Sequence, residues 1–105
     1  MPKLDLAGST YDVDEHGFMQ DTQRWNETVA AAYAALEGVK QLTADHWKAL
    51  NYLREYYLKN GICPMIRRLV KETGFTLKQL YDLFPNGPAN SACKWAGVPK
   101  PTGCV

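Results

Sequence analysis

The sequence lacks any apolar run approaching the roughly 20 residues of a membrane-spanning helix, so no membrane insertion is expected. Its start, Met1-Pro2-Lys3-Leu4-Asp5, lacks the apolar stretch of a secretory signal, and a cytoplasmic location is the expectation. It also lacks an excess of either charge: Lys plus Arg is 12 and Asp plus Glu is 11, a formal net charge of +1. That balance argues against a wholly electrostatic nucleic-acid binder. Cysteine is scarce, with three residues, Cys63, Cys93 and Cys104. An odd number is a poor basis for the disulfide framework of a secreted domain. There is no CxxC pair, and His16 and His46 are not at ligand spacing, so no metal site is expected. Neither histidine is expected to be more than a surface or structural residue. There is no GxGxxG, no phosphate-binding loop and no Ser/His/Asp arrangement, so no cofactor of its own is expected. What chemistry the chain has is therefore sought in its thiols.

What is present is enough for one small domain over residues 1–105, with 46% hydrophobic residues to supply a core. The charge is unevenly placed. Residues 1–37 hold two basic and seven acidic groups, and residues 38–105 hold ten basic and four acidic ones. A docking surface can use that polarity, although helix surfaces also differ in charge for no such reason.

Most of the chain reads as helix. Tyr11 to Met19 alternates about His16-Gly17 and suggests a β-hairpin. A first helix is expected to start at Asp21 or Thr22, with Trp25, Val29, Ala32, Tyr33 and Leu36 on its apolar side, and to stop at Gly38. Thr43 caps a second helix carrying Trp47, Leu50, Leu53, Tyr57 and Leu58, ended by Asn60-Gly61. Pro64 suits the first position of a third, with Met65, Ile66, Leu69 and Val70 as its buried stripe and Gly74 as its stop. Thr76-Leu77-Lys78-Gln79 is a capping box that opens a fourth, with Leu77, Leu80, Tyr81, Leu83 and Phe84 as its apolar residues and Pro85-Asn86-Gly87 as its break. Pro88 opens a fifth, containing Cys93 and Trp95 and closed by Gly97.

Residues 98–105, Val-Pro-Lys-Pro-Thr-Gly-Cys-Val, are barred from regular helix or central strand by two prolines and a glycine. They read as a C-terminal arm. From Gly97 to Cys104 the extended chain reaches on the order of 23–25 Å, enough to carry one thiol into a partner's buried site. Folded back, the loop between Cys93 and Cys104 spans about twelve residues and is cheap to close. The two thiols can then pair reversibly or hold sulfur between them, one carrying a cargo and the other displacing it. Spacing by itself does not separate exchange chemistry from incidental thiols. Cys63, beside Pro64, reads as a small half-buried residue outside this pair.

A rival reading comes from helices three and four. Two short helices meeting at Gly74 look like a helix-turn-helix, and Arg67, Arg68, Lys71 and Lys78 lie on that unit. A DNA-binding regulator is the alternative function, and an acidic protein surface is an equally suitable partner.

The stretch Cys93-Lys94-Trp95-Ala96-Gly97-Val98-Pro99-Lys100-Pro101-Thr102-Gly103-Cys104-Val105, with Asp14-Glu15-His16-Gly17-Phe18 and Trp25-Asn26, closely resembles the DsrC/TusE family. The resemblance covers essentially the whole chain. It implies a mainly α fold: a small helical bundle with a helix-turn-helix-like unit, an N-terminal β-hairpin and a mobile C-terminal arm. It implies a sulfur carrier, not an enzyme in its own right, with Cys104 as the sulfur acceptor and Cys93 as the second, resolving cysteine. The implied partners are the alpha and beta subunits of dissimilatory sulfite reductase, whose sirohaem and iron–sulfur clusters belong to that enzyme. A membrane-bound sulfur-redox oxidoreductase complex would reduce the product, and sulfurtransferases are further candidate partners. TusE-type relatives serve a sulfur relay for tRNA thiolation and generally keep only the penultimate cysteine. The presence of both Cys93 and Cys104 favours the DsrC side of the family.

Overall fold

A computed structural model describes residues 2–98. Two short strands, β1 (Lys3–Leu6) and β2 (Ser9–Asp12), form an antiparallel hairpin with Leu4 opposite Tyr11 and Leu6 opposite Ser9. The hairpin is thus N-terminal but lies earlier than Tyr11–Met19. Its turn is Ala7-Gly8, both at positive φ. The expected His16-Gly17 turn also exists, closed by a single Val13–Met19 bridge. Asp14 organises it: one carboxylate oxygen accepts from the His16 and Phe18 backbone N–H groups, at 2.8 and 2.9 Å. Asp bonding its own backbone two residues on is a local alternative to a strand ladder, and it ended the strand at Asp12.

Five helices follow. The chain first makes one 3₁₀ turn, Thr22–Arg24, before α1 (Glu27–Leu36) begins. The helix therefore starts later than Asp21 or Thr22, because Asn26 is the residue whose side chain accepts from Val29 N–H at 3.0 Å. Helix α2 (Ala44–Asn60) is capped by Thr43 as expected and stops at Gly61 in the left-handed conformation. Helix α3 (Ile66–Thr73) begins two residues beyond Pro64, with Met65 at its N-cap, and stops at Gly74. The Thr76–Gln79 capping box opens α4 (Leu77–Leu83), and Pro88 opens α5 (Pro88–Trp95).

The core lies where α5 packs on α1 and α2, with α3 on the other flank of α2 and β1 against α1. Trp95, Tyr33, Phe84, Leu50, Leu53 and Leu80 are its large buried members. Five residues expected in apolar stripes are instead outside it: Leu36, Leu58, Met65, Leu77 and Tyr81 are 63%, 73%, 46%, 49% and 52% exposed.

Candidate functional site

The site is built on α5 and the residues that hold it. From Ser91 to Val98 every residue but Lys94 is buried. Cys93 lies in the core at 1% exposure. After α5 the chain turns at Gly97 and stays in the core: Val98 is fully buried, and its N–H donates to the Cys93 carbonyl at 3.1 Å. Val98, the first residue of the expected 98–105 arm, is thus an apolar anchor. Cys104 and the rest of the 98–105 arm lie outside the described residues.

Cys93 is not unpaired. Its sulfur is bonded to Cys63, with the Cα atoms 6.7 Å apart, across 30 residues of sequence. This corrects the expectation that Cys63 stands outside the thiol chemistry. Cys63 lies between Gly61, the C-cap of α2, and Met65, the N-cap of α3, and is 5% exposed. The packing of α2 against both α3 and α5 brings that connector to Cys93. No sequence spacing announces such a pair, because it depends on how three helices meet.

The turn that leaves α5 is clamped from two sides. Trp25 Nε1 donates to the Trp95 carbonyl at 2.8 Å. Arg54 donates from Nη1 to the Ala96 carbonyl at 2.7 Å and from Nη2 to the Thr22 carbonyl at 3.3 Å. Its guanidinium lies 4.3 Å from the Trp25 ring centroid, within cation–π range. Burial lowers the Arg54 pKa from its ordinary value, opposed by Tyr57. Gly97 is required here: its φ is +70°, and an added Cβ would stand 2.3 Å from Trp25 Cδ1. Sequence reading missed Arg54 and Gly97 as a unit with Trp25. The available signal was a charged residue at i+4 from Leu50, inside the apolar stripe of α2.

Helix α5 and the loop before it are also tied to the end of α1. Glu37 Oε1 accepts from Ser91 Oγ at 2.6 Å and from Asn86 Nδ2 at 3.3 Å, and Lys94 Nζ is 4.0 Å from Glu37 Oε2. His46 is structural and buried. Its Nδ1 accepts from Thr43 N–H at 3.0 Å, which leaves Nε2 to donate to the Leu83 carbonyl at 2.7 Å. One imidazole thus caps α2 and holds the end of α4. Among the described residues no group of three or more His, Cys, Asp or Glu side chains converges as a metal site requires. No helix among them is long and apolar enough to cross a membrane.

A buried cysteine at the root of a clamped C-terminal turn invites comparison with known proteins. The family model described as "DsrC like protein" matches residues 5–105. This chain belongs to the DsrC-like family. It is 46% identical over 105 residues to "Sulfite reductase, dissimilatory-type subunit gamma" of Nitratidesulfovibrio vulgaris, covering 100% of both chains. It is 41% identical over 109 residues to "Sulfurtransferase TusE" of Salmonella typhimurium, covering 97% of this chain and 99% of that one. Among solved structures, the oxidized gamma-subunit of the dissimilatory sulfite reductase (DsrC) from Archaeoglobus fulgidus matches with a TM-score of 0.85 and 44% identity. That match covers 99% of this chain and 100% of the other. The mainly helical fold with an N-terminal hairpin expected from the resemblance is the fold observed.

Proposed function

We propose that this protein is a sulfur carrier and protein co-substrate of a dissimilatory sulfite reductase, a carrier and not a catalyst. Cys104 accepts the sulfite-derived sulfur, and Cys93 is the second thiol that bridges and later releases it. The observation that carries this reading is full-length similarity to a gamma subunit of that reductase in a chain holding both cysteines. The clamped turn supports it. Trp25, Arg54 and Gly97 hold the turn from which the arm leaves the core, so the ordering loss on delivering Cys104 falls on few residues.

The chemistry explains why two thiols are needed. Bridging one sulfur from sulfite between two thiols takes four electrons. Two come from the thiols and two from the reductase, and the three oxygens leave as water with protons from solution. A single thiol could hold a persulfide but would need an external thiol to release it. The sirohaem and iron–sulfur clusters in this scheme are the reductase's. A membrane-bound sulfur-redox complex then returns the trisulfide to two thiols and sulfide, and the carrier works in the cytoplasm.

A sulfur relay of the TusE kind is the second reading, favoured by the 41% identity to TusE. Its partners would be sulfurtransferases, and it needs Cys104 alone. Intact-mass spectrometry after turnover with sulfite and reductase separates the two. We expect the wild type to gain one bridging sulfur atom, lost on reduction. Cys104→Ala should gain none, and Cys93→Ala should load Cys104 without forming the bridge. A Cys104→Ala protein that still loads overturns the assignment, and a Cys93→Ala protein indistinguishable from wild type moves it to the relay.

A further inference from the structure

The bond between Cys63 and Cys93 leaves one thiol of the proposed carrier unavailable until it is opened. A groove of about 400 Å³ lies against the connector between α2 and α3. Cys63 and Pro64 line it with the exposed side chains of Ile62 and Met65, and Tyr56 closes one side. Arg67, Arg68 and Lys71 complete the lining, and among the described residues no carboxylate belongs to it. Arg68 is shared with Glu72 at 3.5 Å; among the described residues Arg67 and Lys71 have no acidic partner within salt-bridge distance. Cys93, on the other side of the bond, is not part of the groove and is buried in the core.

We propose that this groove binds a small anionic thiol, which attacks Cys63 and releases Cys93. Three cations around an otherwise apolar slot attract a negatively charged ligand and raise its local concentration. Exchange then needs only access to one sulfur. The thiol gives its proton to solvent, and the thiolate forms a disulfide with Cys63 Sγ as the Cys63–Cys93 bond breaks. Cys93 leaves as a thiolate and takes up a proton. No net electron transfer occurs in this step. A second thiol molecule attacks the mixed disulfide, leaves as the small-molecule disulfide and restores the Cys63 thiol. The groove thereby arms Cys93. That consequence for sulfur loading rests on the function proposed above, whereas the exchange itself does not.

The experiment uses the full chain with Cys104→Ala, oxidised to the Cys63–Cys93 form, so that loading plays no part. Opening is followed by stopped-flow with 2-mercaptoethanesulfonate or 2-mercaptoethanol, each rate corrected for thiolate fraction. At low ionic strength the anionic thiol should react roughly fivefold to tenfold faster, the advantage shrinking toward unity in about 0.5 M salt. Arg67→Gln with Lys71→Gln, both exposed positions, should remove most of that preference, slowing the sulfonate thiol, which attacks as a dianion, more than 2-mercaptoethanol, which attacks as a monoanion. Peptide mapping after acid quench should find the adduct on Cys63. An adduct on Cys93, or a preference indifferent to salt and to the double substitution, overturns the proposal. So does a peptide map of the oxidised protein without the Cys63–Cys93 bond. If Cys104 of the wild type loads sulfur in the earlier assay while this preference is absent, the groove proposal falls and the carrier stands. If the preference holds and Cys104 never loads, the carrier falls and the groove stands.

Discussion

Gly97→Ala tests whether the root of the arm is held by packing or merely by local turn preference. Gly97 and Gly38 both follow a helix at positive φ, +70° and +92°. They differ in surroundings. A Cβ at Gly38 meets nothing within 4 Å, whereas one at Gly97 meets Trp25 Cδ1, Cγ and Cβ at 2.3, 2.6 and 2.7 Å. Placing Ala in the left-handed region costs about 1–2 kcal/mol. The stiffer unfolded chain offsets about 0.4–1 kcal/mol of that. Gly38→Ala should therefore destabilise by roughly 0–1.6 kcal/mol. Gly97→Ala carries the same backbone term plus overpacking of about 1–3 kcal/mol. The Trp25 ring cannot yield without loosening its bond to the Trp95 carbonyl and its contact with Arg54. The total is roughly 1–4.5 kcal/mol, up to a large part of a small domain's stability. With a urea slope of about 1.5 kcal/mol per molar, the midpoint should fall by at most about 1.1 M for Gly38→Ala and by roughly 0.7–2 M more than that variant's own fall for Gly97→Ala. Urea melts of the two variants, with the Cys63–Cys93 bond kept oxidised, make the comparison. In a Trp25→Ala background the excess should disappear, because the ring that blocks the Cβ is gone. Equal midpoint shifts for Gly97→Ala and Gly38→Ala would refute the argument.

Three further outcomes follow from the same contacts. Tyr33 is buried with its hydroxyl donating to the Gly17 carbonyl at 2.8 Å; burial, then Asp14 and Glu37, push its pKa up to about 12. The folded state then keeps this proton more tightly than the unfolded one, so the contribution is full below about pH 10 and is lost as pH rises toward 12. Relative to Tyr33→Phe, the wild type should lose on the order of 2–3 kcal/mol over that window in urea melts; parallel loss in the two proteins would remove the assignment. His46→Gln should keep the α2 capping box, since Gln suits that position, but release the Leu83 carbonyl, lowering stability by about 1–3 kcal/mol. Thermal melts of His46→Gln and His46→Ala would check this, and a neutral His46→Gln would show that the Leu83 bond contributes nothing. Reducing the Cys63–Cys93 bond reopens a loop of 30 residues and should lower stability by up to roughly 3–4 kcal/mol by chain entropy. A urea midpoint unchanged by reductant would show that the cross-link constrains nothing.

The helical part of the fold was legible because its signals are local. Thr43, Thr76, Gly61, Gly74 and Pro88 act through backbone groups within a few residues of themselves, and each stands where its chemistry requires. The hairpin was displaced because Asp14 satisfies by side chain the backbone groups that a strand would have paired. Cys93 and Cys104 were found as candidates from residue type and spacing on a proline-rich tail. Arg54, Trp25 and Gly97 were not grouped, because they lie far apart in sequence and meet only at the end of α5.

The sequence by itself determined that this is one small, mainly helical domain, with capped helices and few thiols. It determined this because periodicity, capping and turn chemistry are properties of neighbouring residues. Only the tertiary structure decided which thiols meet. Cys63 and Cys93 are joined because α2 packs on both α3 and α5. That packing also left Cys63 at the wall of a basic groove and Cys93 in the core. Contacts of this kind depend on where whole helices cross, and no local pattern encodes a crossing.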